Sequence, residues 1–186
     1  MYDRAMDRSD SRLFFKFLNS HDFSDEIDDW FTSPALFERW LTEQSVAESG
    51  LIEVTTEDVE LARDARDALN ALIDDRSPRH IAQLNAIARR LPVHTRFEES
   101  GSRLEPSVTG IAGLTARVIG LAHDAMTDGT WDRLSRCHND SCRWAFIDES
   151  KNHSRRWCDM NTCGTQAKSR AYRARQRARR APGAPN

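Results

Sequence analysis

All four cysteines of the chain fall within 27 residues, spaced Cys137-x4-Cys142-x15-Cys158-x4-Cys163. Two pairs with matched short loops and an intervening segment resemble the two half-sites of a tetrahedral zinc site. Four soft thiolates satisfy Zn²⁺ completely and leave no open coordination position. The competing readings are two disulfides or four unrelated buried cysteines. A reducing compartment disfavours the first, and the matched spacings disfavour the second. A catalytic zinc needs an open position and a nearby base. Glu149 is available, but the H-x-E…P-C-x-x-C pattern of zinc deaminases is absent. The expectation is one structural Zn²⁺ per chain and no enzymatic activity. His138 and His153 are alternative ligands, more simply read as loop and turn residues beside an all-cysteine site.

The segment between the pairs must bring the half-sites together. "RWAFID" (143–148) has strand character, "ESKNHS" turn chemistry, and "RRWC" leads back, so a zinc-ribbon-like hairpin is expected. About 30 residues cannot bury enough apolar surface to fold unaided. The metal therefore supplies much of the stability, with Trp144, Phe146 and Trp157 as a miniature core. Stacking of Trp144 and Trp157 on bases is the alternative use.

Directly after Cys163 the chain turns basic. Gly164–Ala181 holds seven Lys and Arg and no acid. Its Ala and Arg content favours a helix, with Ala167, Ala171, Ala174 and Ala178 on one stripe and arginines on others. The net charge of −2 hides this asymmetry: residues 131–180 carry 13 basic and 5 acidic residues, and the remainder 14 and 24. An acidic part joined to a basic part is the footprint of a nucleic-acid-binding end. A solubilising tail is the bland alternative. Double-stranded DNA is the expected partner. Lys151, Arg155, Arg156, Lys168, Arg170, Arg173 and Arg177 are candidate backbone contacts, while Thr165, Gln166 and Ser169 at the helix start are candidate base readers. RNA bound by the same module and helix is the alternative.

The elements upstream read as helices, so the fold class is mostly α: a helical domain, a small four-cysteine module and a basic C-terminal helix. The expected division is a disordered leader at 1–12, a helical domain at 13–126, a hinge at 127–131, the zinc module with its helix at 132–181 and a disordered tail at 182–186. Ser33–Pro34, Thr55 and Ser77–Pro78 mark helix starts. Leu36, Phe37, Trp40 and Leu41 share one face of a helix, and Ile81, Leu84, Ile87 and Leu91 share one of another. "PVHTRFEESGSRLEP" is the one place for a hairpin or irregular loop. With 39% hydrophobic and 30% charged residues the composition is that of a soluble globular protein. No signal-peptide core and no membrane-spanning run is evident, so a cytoplasmic location is expected. Asn19 and Arg66 are polar residues inside apolar helical patterns. They are either structural ties or, with Phe17 and Trp40 as walls, part of a pocket in which Arg66 grips an anionic effector.

The run from Cys137 through Phe146, Asp148, Ser150, Asn152, Ser154, Arg155, Arg156, Trp157, Cys158, Met160, Cys163 and Gly164 closely resembles the CGNR zinc finger family, and the likeness continues into "AKSRAYRARQR". "FLNS", "SPALFERWL", "ARDAL" and "QLN" resemble the ABATE domain that precedes this finger. The resemblance implies a bacterial, actinobacterial-type transcription regulator with a zinc-dependent DNA-binding C-terminus and an effector-responsive N-terminal domain. The signature Cys-Gly-Asn-Arg reads Cys163-Gly164-Thr165-Gln166 here, which leaves zinc binding intact and alters any DNA contact made by the last two positions. One finger buries little surface on DNA, so a homodimer formed through the helical domain is a further expectation.

Overall fold

The computed structural model describes residues 8–21, 29–46, 53–99 and 101–180. Six helices and two small hairpins are built from them: α1 (Arg8–Leu18), α2 (Pro34–Glu43), α3 (Thr56–Asp74), α4 (Pro78–Ala88), β1 (Val93–Glu98), β2 (Gly101–Pro106), α5 (Gly110–Asp128), β3 (Leu134–Arg136), β4 (Ala145–Ile147) and α6 (Thr165–Arg180). None of these helices is long and apolar enough to cross a membrane.

Helix starts follow local chemistry. The Ser33 hydroxyl accepts from Leu36 N and the Ser77 hydroxyl from His80 N, each with proline at the first helical position. Thr55 and Asp58 form a reciprocal capping box at the head of α3. α1 begins at Arg8, so residues 8–12, expected as leader, are helical; residues 1–7 and the tail at 182–186 lie outside the described residues.

α3 and α5 are the axis of the core. α3 buries Val59, Ala62, Ala65, Leu69 and Leu72, and α5 buries Ile111, Ala116, Val118, Leu121 and Ala125. Phe14 and Phe17 of α1, Phe31, and Phe37 and Trp40 of α2 add an aromatic cluster at its side, with Phe31 edge-on to Trp40 at 5.0 Å between ring centroids. The β1–β2 hairpin packs through β2 on α5. Ile81 departs from the expected face: it is 44% exposed, because α4 is a short edge helix that buries only its C-terminal end at Ile87 and, just beyond it, Leu91.

The expected hinge is a packed turn. Gly129 ends α5 in the left-handed conformation (φ 84°), a short 3₁₀ turn follows, and Trp131 is buried in the main core. The zinc module is thereby docked against the helical domain, with Ala145 of β4 belonging to the same core.

Candidate metal centre and basic helix

The module is assembled around its first cysteine loop. β3 and β4 pair antiparallel, Leu134 opposite Ile147 and Arg136 opposite Ala145. This corrects the expected hairpin. "AFI" is a strand as anticipated, but its partner precedes Cys137, and "RRWC" returns as irregular chain tied by His138 N to Arg156 O at 2.9 Å. Within the loop the Asn139 carbonyl accepts from Cys142 N and Arg143 N, and Arg143 takes the left-handed conformation (φ 55°) that turns the chain back. Asp148 fixes the second turn, its carboxylate accepting from Ser150 N and Arg155 N.

These turns bring all four thiols together. The four sulfurs lie within 4.8 Å of one another, with Cys142 to Cys158 at 3.5 Å and Cys158 to Cys163 at 3.8 Å. Four sulfurs each ~2.3 Å from a central ion sit about 3.8 Å apart in a tetrahedron, so the cluster has the dimensions of a Zn²⁺ site. The cysteines are free thiols, two buried and two half-buried. Burial pushes Cys142 up to about 12 and raises Cys158 as well; a cation of high charge is what such a cluster needs to hold thiolates. At Cys163 burial works in the same direction, but hydrogen bonds, that from Asn139 first, outweigh it and bring the thiol down. The residues fit zinc, and Cys137, Cys142, Cys158 and Cys163 would hold it. Phe146 is buried against the cluster and Trp157 half-buried. Trp144 is 39% exposed and does not join this small core.

A five-residue turn, Met160–Gly164, capped by Asp159 through Thr162 N, carries Cys163 straight into α6. A Cβ on Gly164 would approach Met160 Sδ at 3.1 Å and Trp157 Cδ1 at 3.3 Å, which suits a residue without one. Thr165, Gln166, Lys168, Ser169, Arg170, Arg173 and Arg177 are all exposed on α6. Lys168, Ser169, Tyr172 and Arg173 line a shallow open depression. Lys151 is exposed in the turn after β4, and exposed Arg156 lies over the Trp157 ring at 5.6 Å.

One expected phosphate contact is committed inside the protein instead, and a second, Arg170, stays exposed while it also ties α6 to the cysteine loop. Arg155 donates to the carbonyls of Trp157 and Cys158 and stacks over Phe146 at 4.9 Å, because a guanidinium with three carbonyl and ring partners in reach is held there. Arg170 donates to Asn139 Oδ1 at 2.7 Å.

The pocket expected at Phe17, Asn19, Trp40 and Arg66 is replaced by structural ties. Phe17 and Trp40 are sealed against each other and Phe31. Arg66, 1% exposed, grips Asp29 with both terminal nitrogens (2.5 and 2.9 Å) and Asp67 through Nε. Burial would lower its pKa; these carboxylates outweigh that and raise it. Asn19 turns to the zinc module: its Nδ2 donates to Ala145 O at 3.0 Å and its Oδ1 accepts from Ala145 N at 2.7 Å, imitating a neighbouring strand. Asp74, at the end of α3, accepts from Arg136 (2.8 Å) and Arg143 (2.6 Å) of the module.

Asn139, 4% exposed, has no place among the sequence candidates, although it organises the metal centre. Its signal is chemical and faint: an amide inside a ligand loop can donate to a thiolate, as outer hydrogen bonds to metal ligands generally do.

None of the curated proteins matches the chain. Residues 133–176 match the family model described as CGNR zinc finger. Residues 11–129 match the model described as "Putative stress-induced transcription regulator", the ABATE domain. The chain therefore belongs to the ABATE family and carries a C-terminal CGNR zinc finger.

Proposed function

We propose that the chain is a transcription regulator that binds double-stranded DNA through α6, which zinc anchors at its N-terminal end. The observation carrying this reading is an exposed helix with seven Lys and Arg and no acid, launched directly from a metal ligand. The acidic helical domain is repelled by the same polyanion, which directs binding to this end. Four thiolates close the metal to substrate, so the chain acts by binding and not by catalysis.

Lys151, Arg156, Lys168, Arg173 and Arg177 supply the backbone contacts. About five neutralised phosphates give a slope of log K against log salt near about −4.5. Binding of the zinc-loaded full chain to duplex, titrated from low to moderate salt, measures it; a nearly flat dependence rejects the reading.

One observation favours RNA as a second reading, the exposed Trp144, which offers a face for base stacking. Single-stranded RNA outcompeting duplex, with a large loss on Trp144→Ala at full zinc content, would select it.

A further inference from the structure

Asn139 and Gln166 form a relay from the metal centre to the start of α6, and the polarity of that relay is fixed at its inner end. Asn139 Nδ2 donates to Cys163 Sγ at 3.5 Å and to Gln166 Oε1 at 3.2 Å. On the other side Asn139 Oδ1 accepts from Arg170 at 2.7 Å and from Ser141 Oγ at 3.0 Å. A metal-bound thiolate can only accept, so the amide must turn its nitrogen to the sulfur and its oxygen to Arg170. The orientation of Gln166 then follows. Its oxygen receives Asn139 Nδ2 and, at 3.4 Å, Arg170. Its Nε2 has no hydrogen-bond partner among the described residues, and the side chain is exposed at the second position of α6.

We infer that Gln166 meets DNA as a hydrogen-bond donor only, and that it therefore selects guanine and rejects adenine. The usual Gln–adenine pair needs the glutamine oxygen to accept from N6 while the nitrogen donates to N7. In this chain the oxygen is already occupied by two donors. The O6/N7 edge of guanine presents two adjacent acceptors, whereas adenine N7 sits beside the N6 donor and thymine O4 beside a methyl group, so guanine is the edge that a lone NH₂ group fits best. Asn139 is the positioning residue, since the thiolate of Cys163 acts on Gln166 through it. The inference rests on the proposed DNA binding and adds the base to it.

The test is selection from a random-sequence duplex library with the zinc-loaded full chain and its variants. Wild type is expected to select guanine at one position. Gln166→Ala should lose about tenfold of that preference at that position alone, and Gln166→Lys, a pure donor, should keep it. Asn139→Ala removes one of the two donors to the glutamine oxygen and the tie that fixes the amide's orientation, so adenine should become tolerated at one equivalent of zinc. In the Co²⁺-substituted protein the same variant should shift the thiolate charge-transfer band, because a hydrogen bond to sulfur is lost. Adenine at the Gln166-dependent position overturns the inference. So does an equal loss for all sequences in Gln166→Ala, which would mean a phosphate contact, or no change at all. Lys168→Ala and Arg173→Ala separate the two levels: if they weaken binding while Gln166→Ala leaves the selected site unchanged, DNA binding stands and the guanine assignment falls. Absence of duplex binding by wild type removes both.

Discussion

The helical domain and the zinc module solve the same problem with different material. The first buries Phe14, Phe17, Phe31, Phe37 and Trp40 together with the apolar faces of α3 and α5. Around the metal, by contrast, the buried set is Cys137, Phe146 and Cys163, with Trp157 and two further cysteines half-covered. Side-chain packing holds the one; in the other, four sulfurs stand where a core would be. The boundary is not a flexible linker, since Trp131 lies in the domain core while Asn19 and Asp74 reach across to β3–β4. Two modes of stabilisation thus meet along a short polar seam, and each side can be disturbed separately.

Removing the metal has the largest expected effect. Structural zinc in small modules contributes roughly 10–16 kcal/mol of apparent binding free energy near neutral pH, as much as the folding stability of a whole domain. Chelation, or Cys158→Ser, should abolish zinc content and melt the module and the start of α6. The helical domain should keep its own cooperative transition. Hydrogen exchange resolved by segment checks this: amides at 134–164 should lose protection while those of α3 and α5 retain it. Protection surviving throughout exhaustive chelation would show that the module is held by its docking contacts and not by metal.

On the other side, Phe31→Ala should cost about 3–5 kcal/mol by truncating a fully buried ring. Denaturant unfolding of the helical domain reads the loss. Competition with a chromogenic chelator should show zinc affinity little changed, and a matching fall in that affinity would deny that the two cores are separate.

The seam itself should yield a smaller effect. Asn19→Ala removes two hydrogen bonds to Ala145, and with roughly 1 kcal/mol net for each the loss is about 1–3 kcal/mol. Its signature is increased exchange at Ala145 and its strand partner Arg136, with stoichiometric zinc retained. If only the helical domain is destabilised, Asn19 is a domain residue and not a docking one.

How much of this could be read from the chain depended on the range of the interaction. Ser33, Thr55 and Ser77 were legible because a cap acts over three residues, and the cysteines because ligand spacing is itself the signal. The identity of the strand opposite Ala145–Ile147 was not, since "LSR" is three residues long and carries no period. Asn19 illustrates the limit most clearly: its partner is 126 residues away, and nothing local distinguishes an amide that docks a module from one that lines a pocket. Arg155 failed for a related reason. In a basic run every arginine resembles a phosphate ligand, and only the fold shows which of them is turned onto Phe146.

Acid offers the smallest perturbation and separates the two regions by sign and by pH window. Asp29 is partly buried, and desolvation alone would raise its carboxyl pKa. The Arg66 guanidinium and the Phe31 amide outweigh that, so the folded value lies below the ordinary one near 3.9. A depressed folded pKa stabilises above the unfolded value, and the contribution disappears as pH falls through the folded one. The helical domain should therefore hold its stability down to about pH 4 and lose part of it below. Thiolate ligands behave differently, because protons compete with the metal for every sulfur, and a thiol's ordinary pKa of about 8.5 lies far above that of a carboxyl. Zinc release should consequently begin at higher pH than the Asp29 transition. Parallel acid titrations, one following released zinc with an indicator and one following near-ultraviolet circular dichroism of the domain aromatics, give two midpoints. In Asp29→Asn the lower transition should flatten while zinc release keeps its midpoint. If the two curves instead move together, the polar seam couples the regions more tightly than two hydrogen bonds and a shared carboxylate can explain.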